Sequence, residues 1–375
     1  TAGSMNYGHN NKFIKDKIMN YLAKDTIINS LDMYTTAKEK FFTTFKEEIL
    51  KPRGLFYKVM CCGPTGTNAV EAALKLCRKN TGRTNVIAFS GAFHGMSLGS
   101  LALTTDRTSR GGAGVSLNNV TFVPYEGDFD SIAYLEWILQ DDHSGIEKPA
   151  AIILETVQAE GGINVSSIEW LKKIREICDR YDMLLVCDDI QVGNGRTGWF
   201  FSFERAGIVP DMVVLSKSIS GFGMPMALLL IKEDLDIFKP AEHNGTFRGN
   251  QLAFVGGEAA IHYFVENKLD EITRENGKVI EEFLKNEICG LDRRIKVRGI
   301  GMIWGIDLNS ISSALALKCV HRAFEYGLIL EVAGRKDSVL KILPPLTIEH
   351  DVLMRGLEVL KQTLKEVLEE RKSNC

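Results

Sequence analysis

Lys217 is the one charge in a run of twenty residues after Asp211, within PDMVVLSKSISGFGMPMALLLI. An ammonium at the end of an apolar strand is costly unless it is paired, neutralised or used chemically. A second candidate is LLVCDDIQVGNGRTG (184–198), where Asp188 closes an apolar run and Ile190 and Gln191 follow it. A third is GPTGTNAVEAALKL (63–76), a strand-to-helix turn. There Gly63 and Gly66 permit close backbone approach, and the free amides at the helix start with the Thr67 hydroxyl can hold an anion such as phosphate. A lysine amine, a carboxylate and an anion-binding turn are the parts a pyridoxal phosphate site requires. The lysine would form a Schiff base, the acid would keep the pyridine nitrogen protonated, and the turn would hold the phosphate.

Each motif also has a plain structural reading. The turn lacks the Lys-Ser/Thr ending of a Walker loop, and GIGMIWG (299–305) has the wrong spacing for a dinucleotide loop with no helix after it, so it reads as a structural turn. Asp188 alone is a common strand-exit acid, and Lys217 alone could be a snorkelling surface charge.

The elements that must position these residues follow from the hydropathy pattern. Segments 57–62, 85–90, 119–125, 150–157, 183–189, 211–217 and 226–231 are apolar, strand-like runs alternating with amphipathic helices. In the helix after the glycine turn, Val70, Ala73, Leu74 and Cys77 share a face, and Ser166 with Glu169 reads as a capping box for the next. This alternation predicts an α/β fold with a mainly parallel sheet, whose ligands gather at the carboxyl ends of the strands. After residue 258 the pattern turns to helices, the β-like IKVRGIGMIWGIDL and a last helix carrying Leu353, Leu357, Leu360, Leu364 and Val367 on one face. The expected division is an N-terminal segment (1–36), a large cofactor-binding domain (37–258) and a smaller α+β domain (259–375).

Composition narrows the function class. A net charge of -3 with interspersed signs argues against nucleic-acid binding, and Gly, Ser and Pro interrupt the longest uncharged run, which argues against a membrane span. The eight cysteines form no CxxC pair and read as reduced thiols of a cytoplasmic protein, with no metal site expected. The opening TAGSMNYGHNN shows neither a signal peptide nor a credible start, which reads as a trimmed N-terminus.

Taken together, LLVCDDIQVGNGRTG, PDMVVLSKSISGFGMP, GPTGTNAVEAALKL, FHGMSLGSLALT, ILETVQAEGG and HNGTFRGNQLAF resemble the class III aminotransferases over essentially the whole chain. Through NYGHNN, LDMYTTAK, LKPRGL, AEGGINV and EHNGTFRGNQLAF the sequence most resembles their diaminobutyrate:2-oxoglutarate transaminase subgroup, which serves ectoine synthesis. The resemblance implies the aspartate aminotransferase-like fold (fold type I) and pyridoxal 5'-phosphate as cofactor. By this resemblance Lys217 is the Schiff-base lysine, Asp188 the partner of the pyridine nitrogen and Gln191 the contact of the phenolic oxygen. Ile190 and Phe93 flank the ring, Gly66 and Thr67 bind the phosphate, and Thr246 reaches the phosphate in a neighbouring subunit. That last match implies a homodimer or higher homo-oligomer with shared active sites.

Glu160 matches an acid that pairs with a substrate-binding arginine, but this chain has Lys341 where relatives place that arginine, and Met96 where many carry another. Lysine lacks the bidentate fork that suits a carboxylate. The implied reaction moves an amino group from L-glutamate to L-aspartate 4-semialdehyde, giving L-2,4-diaminobutyrate and 2-oxoglutarate. The alternatives are an ω-aminotransferase using ornithine, 4-aminobutyrate or a polyamine, and a non-catalytic cofactor-binding fragment.

Overall fold

A computed structural model of the chain describes residues 2–127 and 129–373; the expectations for Thr1 and Cys375 lie outside the described residues. Strands β1 (Tyr57–Cys61), β2 (Val86–Phe89), β3 (Val120–Val123) and β4 (Ala151–Leu154) open the large sheet. A two-stranded ribbon, β5 (Val157–Gln158) with β6 (Asn164–Val165), leaves the end of β4. Strands β7 (Leu184–Asp188), β8 (Met212–Leu215) and β9 (Leu228–Lys232) complete the sheet in the order β1-β9-β8-β7-β4-β2-β3. The β3-β2-β4-β7-β8 block is parallel, and β9 runs antiparallel to both β8 and β1. Strands β2, β4 and β8 are buried along their whole length, which explains their unbroken apolar sequences.

Eleven α-helices surround these strands among the described residues. Before the sheet come α1 (Lys12–Leu22) and α2 (Thr36–Thr44); between its strands lie α3 (Gly66–Thr81), α4 (Leu98–Leu103), α5 (Arg107–Gly111), α6 (Ser131–Gln140) and α7 (Ile168–Arg180). Helix α3 buries Val70, Ala73, Leu74 and Cys77 as its spacing predicts, packs on β7, β8 and β9, and stops at Gly82, whose φ of 68° suits a left-handed cap. Burying one such valine or leucine contributes about 1.5–3 kcal/mol, so the face of α3 is held firmly against the strands that carry the site.

The remaining helices are α8 (Gln251–Glu266), α9 (Leu269–Phe283), α10 (Ala314–Glu325) and α11 (His350–Ser373). They accompany a four-stranded antiparallel sheet of β10 (Lys296–Ile300), β11 (Ile303–Asp307), β12 (Glu331–Ala333) and β13 (Val339–Ile342), in the order β10-β11-β13-β12. GIGMIWG spans the β10–β11 turn, a structural turn as expected, while β12 and β13 add two strands beyond the β-like stretch that the pattern predicts. The face of Leu353, Leu357, Leu360, Leu364 and Val367 is buried.

Two local expectations are corrected. The cap of α7 is Ser167, whose side chain accepts the Trp170 amide; the Ser166 hydroxyl instead donates to the Thr156 carbonyl, 2.8 Å away. The run 150–157 is not one strand, because the chain leaves β4 at Glu155, whose carboxylate accepts the Phe93 amide at 3.3 Å.

Candidate active site

The carboxyl ends of β2, β4, β7 and β8 lie side by side, and a cavity of about 170 Å³ opens over them. Its wall includes Gly66, Thr67, Phe93, Asp188, Ile190, Gln191, Lys217 and Glu160, which is every expected site residue except Thr246 and Lys341. Strand β8 ends at Leu215, and two residues later Lys217 takes a left-handed backbone with φ of 52°. A non-glycine residue there costs on the order of 1–3 kcal/mol, which persists when the surroundings impose it, commonly at functional sites. Burial lowers the Lys217 ammonium below its ordinary value; Lys341 adds to this, while Glu160, Asp188 and Glu155 oppose it. The amine is thus moved toward the neutral, nucleophilic form.

Asp188 and Asp189 point to different tasks. Asp188 Oδ2 lies 2.7 Å from His94 Nδ1, and Oδ1 accepts the Ile190 amide at 3.1 Å. Asp189 faces away from the cavity, accepting the Ser202 amide at 2.9 Å and the Ser202 hydroxyl, and burial pushes its pKa up to about 7. His94 and Glu155 are cavity-wall residues that the motif reading passes over. The His94 ring is fully buried, and its Nε2 has no hydrogen-bond partner. Burial, and then the charge of Asp188, raises the Glu155 carboxyl well above the usual range.

The turn expected to hold an anion opens α3. Thr65 donates its hydroxyl to Asn68 Oδ1 at 2.9 Å, which sets the helix start and leaves Gly66 and Thr67 at the cavity. A Cβ on Gly66 would stand 2.8 Å from Ile190 Cδ1, so glycine keeps this wall thin. Thr67 Oγ1 lies 2.5 Å from the Ser97 and Ser100 hydroxyls, and Ser97 donates in turn to Glu71 at 2.6 Å. The N-terminal residues brace the opposite side: Ser218 Oγ donates to the Gly3 carbonyl at 2.7 Å and accepts the Asn6 amide at 3.1 Å.

Glu160 Oε1 accepts from both Gln191 Nε2 at 3.0 Å and Lys341 Nζ at 2.7 Å. Lys341 is therefore buried and paired, not a solvated surface lysine. Gln191 Oε1 remains a buried acceptor without a protein partner at the cavity wall. Thr246 is exposed and does not line this cavity; its carbonyl accepts from Asn29 at 3.2 Å. Met96 is exposed and also lies outside the lining. The walls thus offer amides for an anion, apolar side chains for a ring, a buried carboxylate, an unpaired amide oxygen and a lysine for an electrophile.

The family described as Aminotransferase class-III matches residues 1–364. This chain belongs to the class III aminotransferases. Relatives of this aminotransferase include the diaminobutyrate--2-oxoglutarate transaminase of Streptomyces anulatus, 51% identical over 370 residues, covering 97% of this chain and 87% of the relative. The protein of that name from Bordetella parapertussis is 48% identical over 375 residues, covering 98% and 86%. The fold of the aminotransferase matches that of the taurine:2-oxoglutarate aminotransferase from Bifidobacterium kashiwanohense, solved with PLP and glutamate. The TM-score is 0.86 at 22% identity, with 98% of this chain and 87% of that one covered.

Proposed function

We infer that this aminotransferase uses pyridoxal 5'-phosphate to move the amino group of L-glutamate to L-aspartate 4-semialdehyde, producing L-2,4-diaminobutyrate and 2-oxoglutarate. The observation that carries the substrate pair is the shared name of relatives that are 48–51% identical over nearly the whole chain. Nothing in the cavity favours ornithine or a polyamine.

When bound, the cofactor supplies an aldehyde that condenses with amines and a protonated ring that accepts electron density. Lys217 would hold the cofactor at its aldehyde through Nζ, and its amine, when free, would serve as the base that moves a proton from the substrate carbon. Asp188, held by His94 and the Ile190 amide, would keep the pyridine nitrogen protonated. Gly66 and Thr67, which line the cavity, would hold the phosphate, Phe93 and Ile190 would confine the ring, and Gln191 would contact the phenolic oxygen. Lys341 would meet a substrate carboxylate with a single ammonium in place of the arginine fork of relatives, and Glu160, which accepts from Lys341 Nζ at 2.7 Å, would hold that ammonium in position.

The acting form in this reading is a cytoplasmic homodimer. Thr246 and the adjacent Phe247 are exposed on their own subunit, as are Met33 and Tyr34, and exposed apolar side chains of this kind would suit a second copy whose phosphate site Thr246 would complete. No described helix is long and apolar enough to cross a membrane. Spectral titration of the purified protein tests the reaction. L-Glutamate should bleach the visible band of the bound cofactor and aspartate semialdehyde should restore it. A band that no amino donor bleaches would reject catalysis, and restoration only by another aldehyde would reject the substrate pair.

A further inference from the structure

Lys217 is tied down through both of its neighbours. Ser216 Oγ donates to the Met226 carbonyl at 2.8 Å. Ser218 Oγ donates to the Gly3 carbonyl at 2.7 Å and accepts the Asn6 amide at 3.1 Å. Both serines are buried, at the start of the short 3-10 turn Lys217–Ser220. Between them Lys217 keeps its left-handed backbone, with φ of 52°. Ser216 lines the cavity beside Lys217, whereas Ser218 lies outside the lining.

The far end of the second tie is Asn6, which is only 1% exposed and engaged at each of its polar atoms. Besides donating its amide to Ser218, it accepts the Leu346 amide on its carbonyl at 2.7 Å. Its Nδ2 donates to the Asn194 carbonyl at 2.9 Å, and its Oδ1 accepts from Arg196 Nη2 at 2.6 Å. Arg196 is buried as well and donates through Nη1 to the carbonyls of Met302 and Pro344. Pro344 and Leu346 lie just past β13, the strand that carries Lys341. Segments far apart in sequence thus fix Asn6, and Asn6 holds Ser218. A buried polar network satisfied in this way is rigid, and removing one member leaves its partners unpaired.

A left-handed lysine persists only where its surroundings impose that backbone. Ser216 is held by Met226, close by at the approach to β9, but Ser218 depends on the distant segment 3–6. We propose that Ser218 is a positioning residue for Lys217, and that the segment 3–6 is the strap through which it aims the lysine amine at the aldehyde of the cofactor. The inference rests on the reading of Lys217 as the residue that bonds the cofactor. Ser218 acts by fixing the backbone that carries the amine, and a misplacement of about 1 Å can cost about 100-fold in a reaction between oriented groups.

Two forms of the cofactor separate the position of Lys217 from the shape of the pocket. Pyridoxal 5'-phosphate is held by the pocket and by the bond its aldehyde carbon forms with Nζ, the aldehyde oxygen leaving as water. Pyridoxamine 5'-phosphate carries an amine at that carbon and is held by the pocket alone. Cofactor-free protein is titrated with each by calorimetry. In Ser218→Ala the affinity for pyridoxal phosphate should fall about tenfold or more, while that for pyridoxamine phosphate stays within about twofold. Ser218→Thr, which keeps the hydroxyl, should restore most of the difference. Asn6→Ala, which loosens the strap at its anchor, should show the same selective loss even where its melting temperature falls. Equal loss of both ligands in Ser218→Ala, unchanged affinities, a Thr variant as impaired as Ala, or no selective loss in Asn6→Ala would overturn the proposal. Lys217→Ala reports on the underlying reading. If it keeps the wild-type ratio of the two affinities, that reading and this inference fail together; if it loses the ratio and Ser218→Ala keeps it, the inference alone fails.

Discussion

An amine that must attack a carbonyl needs to be neutral, and Lys217 is placed where burial favours that form. The same placement weakens the cofactor-free fold. With its folded pKa below its unfolded one, Lys217 binds fewer protons in the native chain than in the unfolded chain, so between those two values stability rises with pH. Lys217→Met should therefore raise the melting temperature of cofactor-free protein at neutral pH. The gain should be largest at low pH and shrink as pH climbs toward the ordinary lysine value of 10.5, and a gain independent of pH would exclude this cause. Lys217 stood out in the sequence as a lone charge ending an apolar run, whereas Asp188, one of two adjacent acids, gained weight only beside it. His94 and Glu155 were not legible, since their meaning depends on β2, β4 and β7 being neighbours in the sheet. Spacing along the chain does not encode that adjacency.

At the level of elements, two glycines separate loss of site from loss of fold. At Gly66 a Cβ would meet the end of the Ile190 side chain, which can swing, but into the cavity. Gly66→Ala should weaken cofactor binding by about tenfold while changing stability by less than about 1 kcal/mol, readable from absorbance titration and denaturation midpoints. At Gly301, the turn between β10 and β11, φ is 54° and a Cβ would stand 2.6 Å from the Arg196 carbonyl oxygen and the Thr197 carbonyl carbon. Backbone cannot swing aside, so Gly301→Ala should cost about 2 kcal/mol or more. Equal stability losses in the two variants would contradict this division. All seven strands of the large sheet were visible as apolar runs, but their ends were not. Ends such as Leu154 and Leu215 are set by where Glu155 and Lys217 must turn, which is tertiary information.

For the whole molecule, the shared-site reading predicts complementation. Lys217→Ala and Thr246→Ala proteins, denatured and refolded together, should give mixed dimers in which one of the two sites has both native residues. Activity should rise above that of either parent after mixing; its failure to rise, with mixed dimers demonstrated, would place Thr246 outside the catalytic unit. The strand order carries a further consequence, for the timing of folding. Strand β1 is made first, yet among the described strands it pairs with β9 alone, Tyr57 opposite Lys232. The ribosome must therefore release Lys232 before the strand leading into the phosphate turn can dock, long after the turn itself has emerged. Nascent chains ending before β9 should be unable to retain the cofactor, so its capture would mark the closing of the sheet's last edge rather than an early step.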